Sequence, residues 1–183
     1  AMVHGDRRMS YGELQASVRH CAAHLYALGV KPGDRVLLCM ENRPEFFEMM
    51  FACWAAGLCA VPVNAKLHRK EIAYIANDAG CRLLFTSPKL MDNCAGLDAE
   101  VAALERVVVV ESDAYAALLA AAPIDPMQLE PSTLAWLFYT SGTTGRPKGA
   151  MLSQRNLLFM CQCYYADVDQ IREGDTQLHA APL

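Results

Sequence analysis

The feature that most restricts the fold is a regular alternation of short apolar runs with longer segments of helical periodicity. Buried strands are indicated at Val36–Met40, Cys59–Val63, Arg82–Thr86, Arg106–Val110 and Leu134–Tyr139. Helical segments lie between or beside them, at Leu14–Leu28, from Pro44 onward, at Arg69–Asp78, within Lys89–Leu104, and at Asp113–Ala121 and Ser153–Tyr165. Strands that alternate with helices indicate βαβ units. The sequence therefore predicts an α/β fold, with alternating βαβ units on a largely parallel sheet.

Local signals give several boundaries. Ser10 followed by Glu13 has the spacing of a capping box, in which two unpaired amides at a helix start are satisfied reciprocally. Pro44 suits the first turn of the next helix, because its missing N–H would be unpaired there anyway. Three prolines within Pro123–Pro131 exclude a helix interior. We therefore expect a proline-rich connector at about 123–133.

Composition excludes several classes of function. The chain has 183 residues, of which 54% are hydrophobic and 20% charged, which suits one globular domain. A net charge of -4 and the lack of any basic patch argue against nucleic acid as a partner. The longest uncharged run, Met49–Ala65, contains Gly57 and Pro62 and is shorter than the ~20 residues of a membrane span. No integral membrane segment is expected.

The eight cysteines contain no C-x-x-C pair, and most lie in apolar stretches. Free buried cysteines of this kind favour a reducing, cytoplasmic setting. His20 and His24 have a spacing that can bind a metal, but no third ligand completes the set, so no metal site is predicted.

The segment most informative about function is the loop that follows the Leu134–Tyr139 strand. The segment Tyr139–Gly149 combines three glycines with four Ser or Thr hydroxyls and one lysine. Glycines let a backbone approach a ligand closely and turn its amides toward it, and a strand that ends in such a loop is where open α/β sheets bind ligands. It is not a Walker-type loop, because Lys148 precedes a glycine instead of Ser or Thr. A phosphate-binding loop is predicted at 139–149.

Three segments resemble the adenylate-forming (AMP-binding) enzyme superfamily, and the closest resemblance is to a fatty-acyl-CoA synthetase. Leu137–Ser153 resembles the family signature, Arg8–Leu14 the family's entry helix, and Ala55–Asn64 its "AG-x-x-x-VPLN" segment. Two positions depart from the pattern, since Gln154 replaces a frequent histidine and Thr133 a frequent aspartate. The resemblance covers essentially the whole chain and implies the N-terminal portion of the AMP-binding domain.

The resemblance implies that a carboxylic acid attacks the α-phosphate of ATP with Mg²⁺, and that CoA then displaces AMP. The residues implied to bind the ATP phosphates are Thr140, Ser141, Gly142, Thr143, Thr144, Gly145 and Lys148. No single residue is assigned a catalytic role. A small-molecule carboxylic acid and CoA are the expected partners, and a fatty acid is the expected substrate, with aryl or amino acids as alternatives.

The resemblance also implies later elements that this sequence lacks, among them an adenine-binding loop, a ribose-binding aspartate and a C-terminal domain with a catalytic lysine. We therefore expect 1–183 to be an incomplete domain that does not adenylate an acid alone. Surface left uncovered in such a portion could support an oligomer. A second hypothesis is a non-catalytic nucleotide- or partner-binding module. The enzyme hypothesis expects the reading frame to continue well past Leu183, and the module hypothesis expects it to end there.

Overall fold

A computed structural model of the protein describes residues 1–120, 122–140, 146–179 and 181. The strands are β1 Met2–His4, β2 Arg7–Met9, β3 Arg35–Cys39, β4 Cys59–Pro62, β5 Cys81–Thr86, β6 Arg106–Val109, β7 Leu134–Thr140 and β8 Lys148–Ser153. The α-helices are α1 Tyr11–Ala27, α2 Pro44–Ala55, α3 Arg69–Ala79, α4 Met91–Cys94, α5 Leu97–Glu100, α6 Asp113–Leu119 and α7 Gln154–Cys163. A 3₁₀ turn at Pro88–Leu90 precedes α4, and a π-helical turn at Tyr164–Val168 follows α7.

Six strands form one sheet in the order β6-β5-β3-β4-β7-β8. The first five are parallel to their neighbours, and β8 pairs antiparallel with β7 at the edge. The predicted α/β fold with a largely parallel sheet is therefore confirmed. Strands β1 and β2 form a separate antiparallel hairpin that the sequence patterns did not predict.

Helices cover both faces of the sheet, and alternate residues of each strand serve the two layers. In β3, Val36 and Leu38 join the apolar cluster that includes α1, α2 and Tyr115 of α6, whereas Leu37 and Cys39 join the cluster of α3, α4 and α5. From β3 to β4 the chain steps toward the β8 edge of the sheet, and from β4 to β5 it steps back toward the β6 edge. Because parallel crossovers are right-handed, that reversal places α2 and α3 on opposite faces.

The uncharged run Met49–Ala65 folds as the end of α2 followed by β4. Most of its side chains are buried, among them Met49, Cys53 and Val61 at 0% exposure. Across the described parts of the chain, no helix is both long and apolar enough to cross a membrane. Six of the eight cysteines are buried, and Cys161 and Cys163 on α7 are the two that are not.

The predicted helix starts are confirmed at both positions. The Glu13 amide donates to Ser10 Oγ at 3.2 Å and the Ser10 amide to Glu13 Oε2 at 2.7 Å, which completes the capping box. Pro44 occupies the first turn of α2. The single helix expected within Lys89–Leu104 is instead divided into short pieces, because Gly96 adopts a left-handed conformation (φ 75°) between α4 and α5.

His24 provides a prediction about stability. It lies on the buried face of α1 with 3% exposure, and its Nε2 has no hydrogen-bond partner among the residues that the structure describes. Burial, together with the charge of Arg106, lowers the pKa of His24 from 6.5 to about 4. Between these two values the unfolded chain binds a proton at His24 that the folded chain does not. Stability is therefore lost as the pH falls from 6.5 toward 4.

We expect His24→Leu to remove this part of the pH dependence. The difference between 6.5 and about 4 corresponds to about 3 kcal/mol of unfolding free energy. Urea unfolding at a series of pH values from 7.5 to 4 measures it, and the variant should lose less stability than the unchanged protein. His4→Leu, at an exposed position of the β1–β2 hairpin, serves as the control. Equal slopes for the His24 variant and the unchanged protein would contradict the prediction.

Candidate nucleotide site

The predicted phosphate loop connects β7 to β8 at the edge of the sheet. Thr140, the last residue of β7, lies directly opposite Lys148, the first residue of β8, in the antiparallel register. Both residues are exposed. The hairpin therefore brings the first and last of the predicted phosphate-binding residues side by side. The remaining predicted residues lie outside the described part of the chain: Ser141, Gly142, Thr143, Thr144 and Gly145.

Strand pairing attaches this hairpin to the rest of the sheet, and a hydrogen bond attaches it to α2. Trp136 of β7 pairs with Ala60 of β4. The indole Nε1 of Trp54, on α2, donates to the carbonyl oxygen of Ala135 at 2.8 Å. Because β7 is thereby fixed parallel to β4, the loop that follows Thr140 begins at the carboxyl edge of the sheet, where open α/β folds bind ligands.

Polar residues also follow β3 and β5, two adjacent strands, at the carboxyl edge of the sheet. Ser87, which follows β5, donates from its hydroxyl to the carboxylate of Glu41, which lies just beyond β3. Burial would raise the pKa of Glu41, but the Ser87 hydrogen bond, a backbone hydrogen bond and the charges of Arg43 and Lys89 outweigh it and hold that pKa below its usual value. Glu41 is therefore a carboxylate at neutral pH.

An ion-pair network continues along this edge from Arg43. Its Nε donates to Glu45 Oε2 at 2.8 Å, and its Nη2 lies 2.5 Å from Glu111 Oε1 beyond β6. Glu111 has a φ of 65°, the left-handed region that non-glycine residues rarely adopt. The network therefore connects the ends of β3 and β6 through charged groups, and it fixes the start of α2.

Both arms of the hairpin also contact α3. The hydroxyl of Tyr139 donates to Asp78 Oδ2 at 2.7 Å, and the hydroxyl of Tyr74 donates to the carbonyl oxygen of Pro147 at 3.4 Å. A cleft of about 330 Å³ lies between α3 and the hairpin. Gly149 faces the Tyr139 ring so closely that a Cβ there would come within 3.0 Å of it.

Comparison with known protein families gives one match over the full length of the sequence. The family described as AMP-binding enzyme matches residues 1–183. The chain belongs to the AMP-binding enzyme family. The resemblance drawn from Leu137–Ser153 and the two other segments is thus confirmed.

Relatives of this AMP-binding chain act on different kinds of acid, according to their names. The feruloyl-CoA synthase of Amycolatopsis sp. is 38% identical over 183 residues, covering 100% of this chain and 36% of that protein. The fatty acid–[acyl-carrier-protein] ligase ScoC of Streptomyces coeruleorubidus is 34% identical over 182 residues, covering 96% of this chain and 34% of that protein. The chain therefore spans about a third of the length of these curated relatives.

A solved structure shows the same fold. The anthranilate CoA ligase AuaEII, crystallised with anthranoyl-AMP, superposes with a TM-score of 0.87 and is 25% identical, covering 93% of this chain and 34% of that one. The chain thus has the fold of the corresponding part of an acid–CoA ligase.

The described residues include two of the predicted phosphate-binding residues, Thr140 and Lys148. Thr140 contributes a hydroxyl and Lys148 a positive charge where the loop begins and ends, which suits an anionic phosphate. In residues 1–120, 122–140 and 146–179, no group of three or more His, Cys, Asp or Glu side chains could hold a metal ion. The sequence predicted Thr140 and Lys148, but it did not identify Glu41, Ser87 or Glu111. Each follows a buried strand closely, and that position was the available signal.

Proposed function

We propose that this AMP-binding chain supplies the ATP-phosphate-binding loop of an enzyme that activates a carboxylic acid as an acyl adenylate and then transfers the acyl group to CoA. The observation that carries the proposal is the β7–β8 hairpin, which holds Thr140 opposite Lys148 at the carboxyl edge of a parallel sheet. Membership of the AMP-binding enzyme family over residues 1–183 supports it.

In the proposed first step, a carboxylate oxygen bonds to the α-phosphorus of ATP. The bond from that phosphorus to the bridging oxygen breaks, and pyrophosphate leaves with the electron pair. In the second step, the sulfur of CoA bonds to the acyl carbon, AMP leaves, and the thiol proton is lost. Lys148 and the hydroxyls and amides of 140–145 would neutralise and hold the β- and γ-phosphates, whose charge grows as pyrophosphate departs.

Mg²⁺ would supply further charge neutralisation when bound with ATP. The role of this chain is then to hold the triphosphate in one geometry, which lowers the barrier by positioning.

The acid is proposed to be a fatty acid, as the resemblance to fatty-acyl-CoA synthetases implies. An aryl acid is the second candidate, and the feruloyl-CoA synthase at 38% identity favours it.

ATP–pyrophosphate exchange by the protein at its full natural length tests the proposal. The panel comprises fatty acids of several lengths, hydroxycinnamic and hydroxybenzoic acids, and amino acids. Exchange with fatty acids is the expected result, whereas exchange with aryl or amino acids alone would keep the adenylation reaction and replace the substrate class. No exchange with any acid would overturn the proposal. The 183-residue chain is expected to show no exchange by itself.

A further inference from the structure

The β7–β8 hairpin is attached to α3 at both of its arms. Tyr139 immediately precedes Thr140, and its hydroxyl donates to Asp78 Oδ2 at 2.7 Å. Pro147 immediately precedes Lys148, and its carbonyl oxygen accepts from the hydroxyl of Tyr74 at 3.4 Å. The Tyr139–Asp78 hydrogen bond is short and fixes the residue next to one end of the loop, whereas the Tyr74–Pro147 contact is longer than the roughly 2.5–3.0 Å usual for a hydroxyl donor and supports the other end only weakly. We call Tyr74, Asp78 and Tyr139 the anchor residues.

Helix α3 is well placed to support the hairpin because it is fixed to the sheet independently. Two of its own side chains, Ile72 and Ile75, are buried at 0% and 1% exposure. At its C-terminal end, the guanidinium of Arg35 donates to the carbonyl oxygens of Ala79 at 2.7 Å and Gly80 at 2.8 Å. Arg35 is the first residue of β3, so this contact ties α3 to a central strand of the sheet. Arg35 also lines the cleft that Asp78 and Tyr139 line.

The close contact between Gly149 and Tyr139 also supports the hydrogen bond from Tyr139 to Asp78. A Cβ at Gly149 would lie 3.0 Å from Tyr139 Cζ and 3.3 Å from its hydroxyl oxygen. The glycine therefore leaves room for the tyrosine ring to cross the hairpin and reach Asp78. Burial, followed by the hydrogen bond and charge of Asp78, raises the pKa of Tyr139, so its hydroxyl keeps the proton that it donates.

We propose that Asp78 is a positioning residue for ATP, which holds one end of the phosphate loop through Tyr139, with Tyr74 as a weaker support of the other end through Pro147. This inference rests on the proposed function, because it assigns the loop to the ATP phosphates. Groups that bind a transition state must be held within a fraction of an ångström, and a supporting layer of hydrogen bonds is the usual means. Asp78 acts through Tyr139 and has no contact with nucleotide in this scheme.

The test measures steady-state kinetics for the protein at its full natural length. Asp78→Ala and Tyr139→Phe should each raise the KM for ATP by roughly three- to tenfold, with the KM for the acid unchanged, since each removes the same hydrogen bond. For the same reason, the double variant should be no worse than the more affected single variant. Asp78→Asn should raise the KM for ATP much less than Asp78→Ala does, because the amide oxygen still accepts from the tyrosine hydroxyl.

Tyr26→Phe is the matched control. It removes a tyrosine hydroxyl that donates to the carbonyl oxygen of Ala56 at 2.8 Å, on the other face of the sheet. It should lower stability by a similar amount and leave the KM for ATP unchanged. If the Asp78 and Tyr139 variants behave like Tyr26→Phe in both measurements, the positioning role is wrong.

Lys148→Ala separates this failure from failure of the proposed function. If Lys148→Ala raises the KM for ATP but the Asp78 and Tyr139 variants do not, the assignment of the loop to the ATP phosphates is retained and the anchor residues are only structural. If Lys148→Ala also leaves the use of ATP unchanged, the loop assignment itself is wrong, and the positioning role falls with it.

Discussion

Lys148→Ala is expected to weaken ATP binding by roughly 10- to 100-fold, the size of effect that follows from losing a hydrogen bond to a charged group. Lys148 lies opposite Thr140 at the end of the hairpin and is exposed. In the proposed complex it is a compact positive charge beside the triphosphate. The measurement is the KM for ATP in pyrophosphate exchange, together with the direct binding of a non-hydrolysable ATP analogue.

Salt and a second lysine make this test specific. Because Lys148 is exposed, the difference between the variant and the unchanged protein should shrink at high ionic strength. Lys31→Ala removes another exposed lysine, in the turn before β3 at the amino edge of the sheet, and should leave ATP binding unaltered. Equal losses for the two variants would point to a general effect of charge and would remove the basis for assigning Lys148 to the phosphates.

Glu45→Gln is expected to destabilise the fold by about 3 kcal/mol or more, as loss of one member of a buried ion pair does. The side chain of Glu45 is 7% exposed and lies against both Arg7 and Arg43, of which Arg43 is itself only 11% exposed. Burial would raise the pKa of Glu45, but hydrogen bonds from Arg43, from the backbone and from Arg7 outweigh it and lower that pKa below 4.5. Removing the carboxylate leaves the Arg43 guanidinium with less compensation.

The sign of the Glu45 pKa shift gives this prediction a pH signature. Its stabilising contribution is present above pH 4.5 and is lost as the pH falls through the lower pKa of the folded state. Urea unfolding should therefore show the full difference between Glu45→Gln and the unchanged protein at pH 7 and a smaller one below pH 4. Asp125→Asn removes a carboxylate that pairs with Arg19 but is 87% exposed, and it should change stability little. A loss as large as that of Glu45→Gln would show that burial is not the cause.

The class of fold could be predicted because it depends on local patterns. The short apolar runs around Leu37, Val61 and Leu84 predicted strands, and the longer helical periods between them predicted crossovers. The order of the strands could not be derived this way. The pairing of Ala60 with Trp136, which places β7 beside β4, joins residues far apart in sequence and has no local signal.

The site shows the same division. The phosphate loop could be predicted because glycine, hydroxyl and lysine residues follow one strand in a continuous segment. Strand β8 was missed, because Lys148–Ser153 becomes a strand only by pairing with β7. The anchor residues were missed for a related reason. Tyr139 and Asp78 are 61 positions apart, and their contact depends on how α3 crosses the sheet.

The late position of β7 in the chain also affects how the protein is made. β4 ends at Pro62 and its partner β7 begins at Leu134, so the outer edge of β4 stays unpaired while the 71 residues between them are synthesised. At about 5 to 20 residues per second, that interval is roughly 4 to 14 s. An open, apolar strand edge readily pairs with another chain. The nascent protein can therefore aggregate through this edge of β4 during the interval, and a chaperone that binds nascent chains would protect it then.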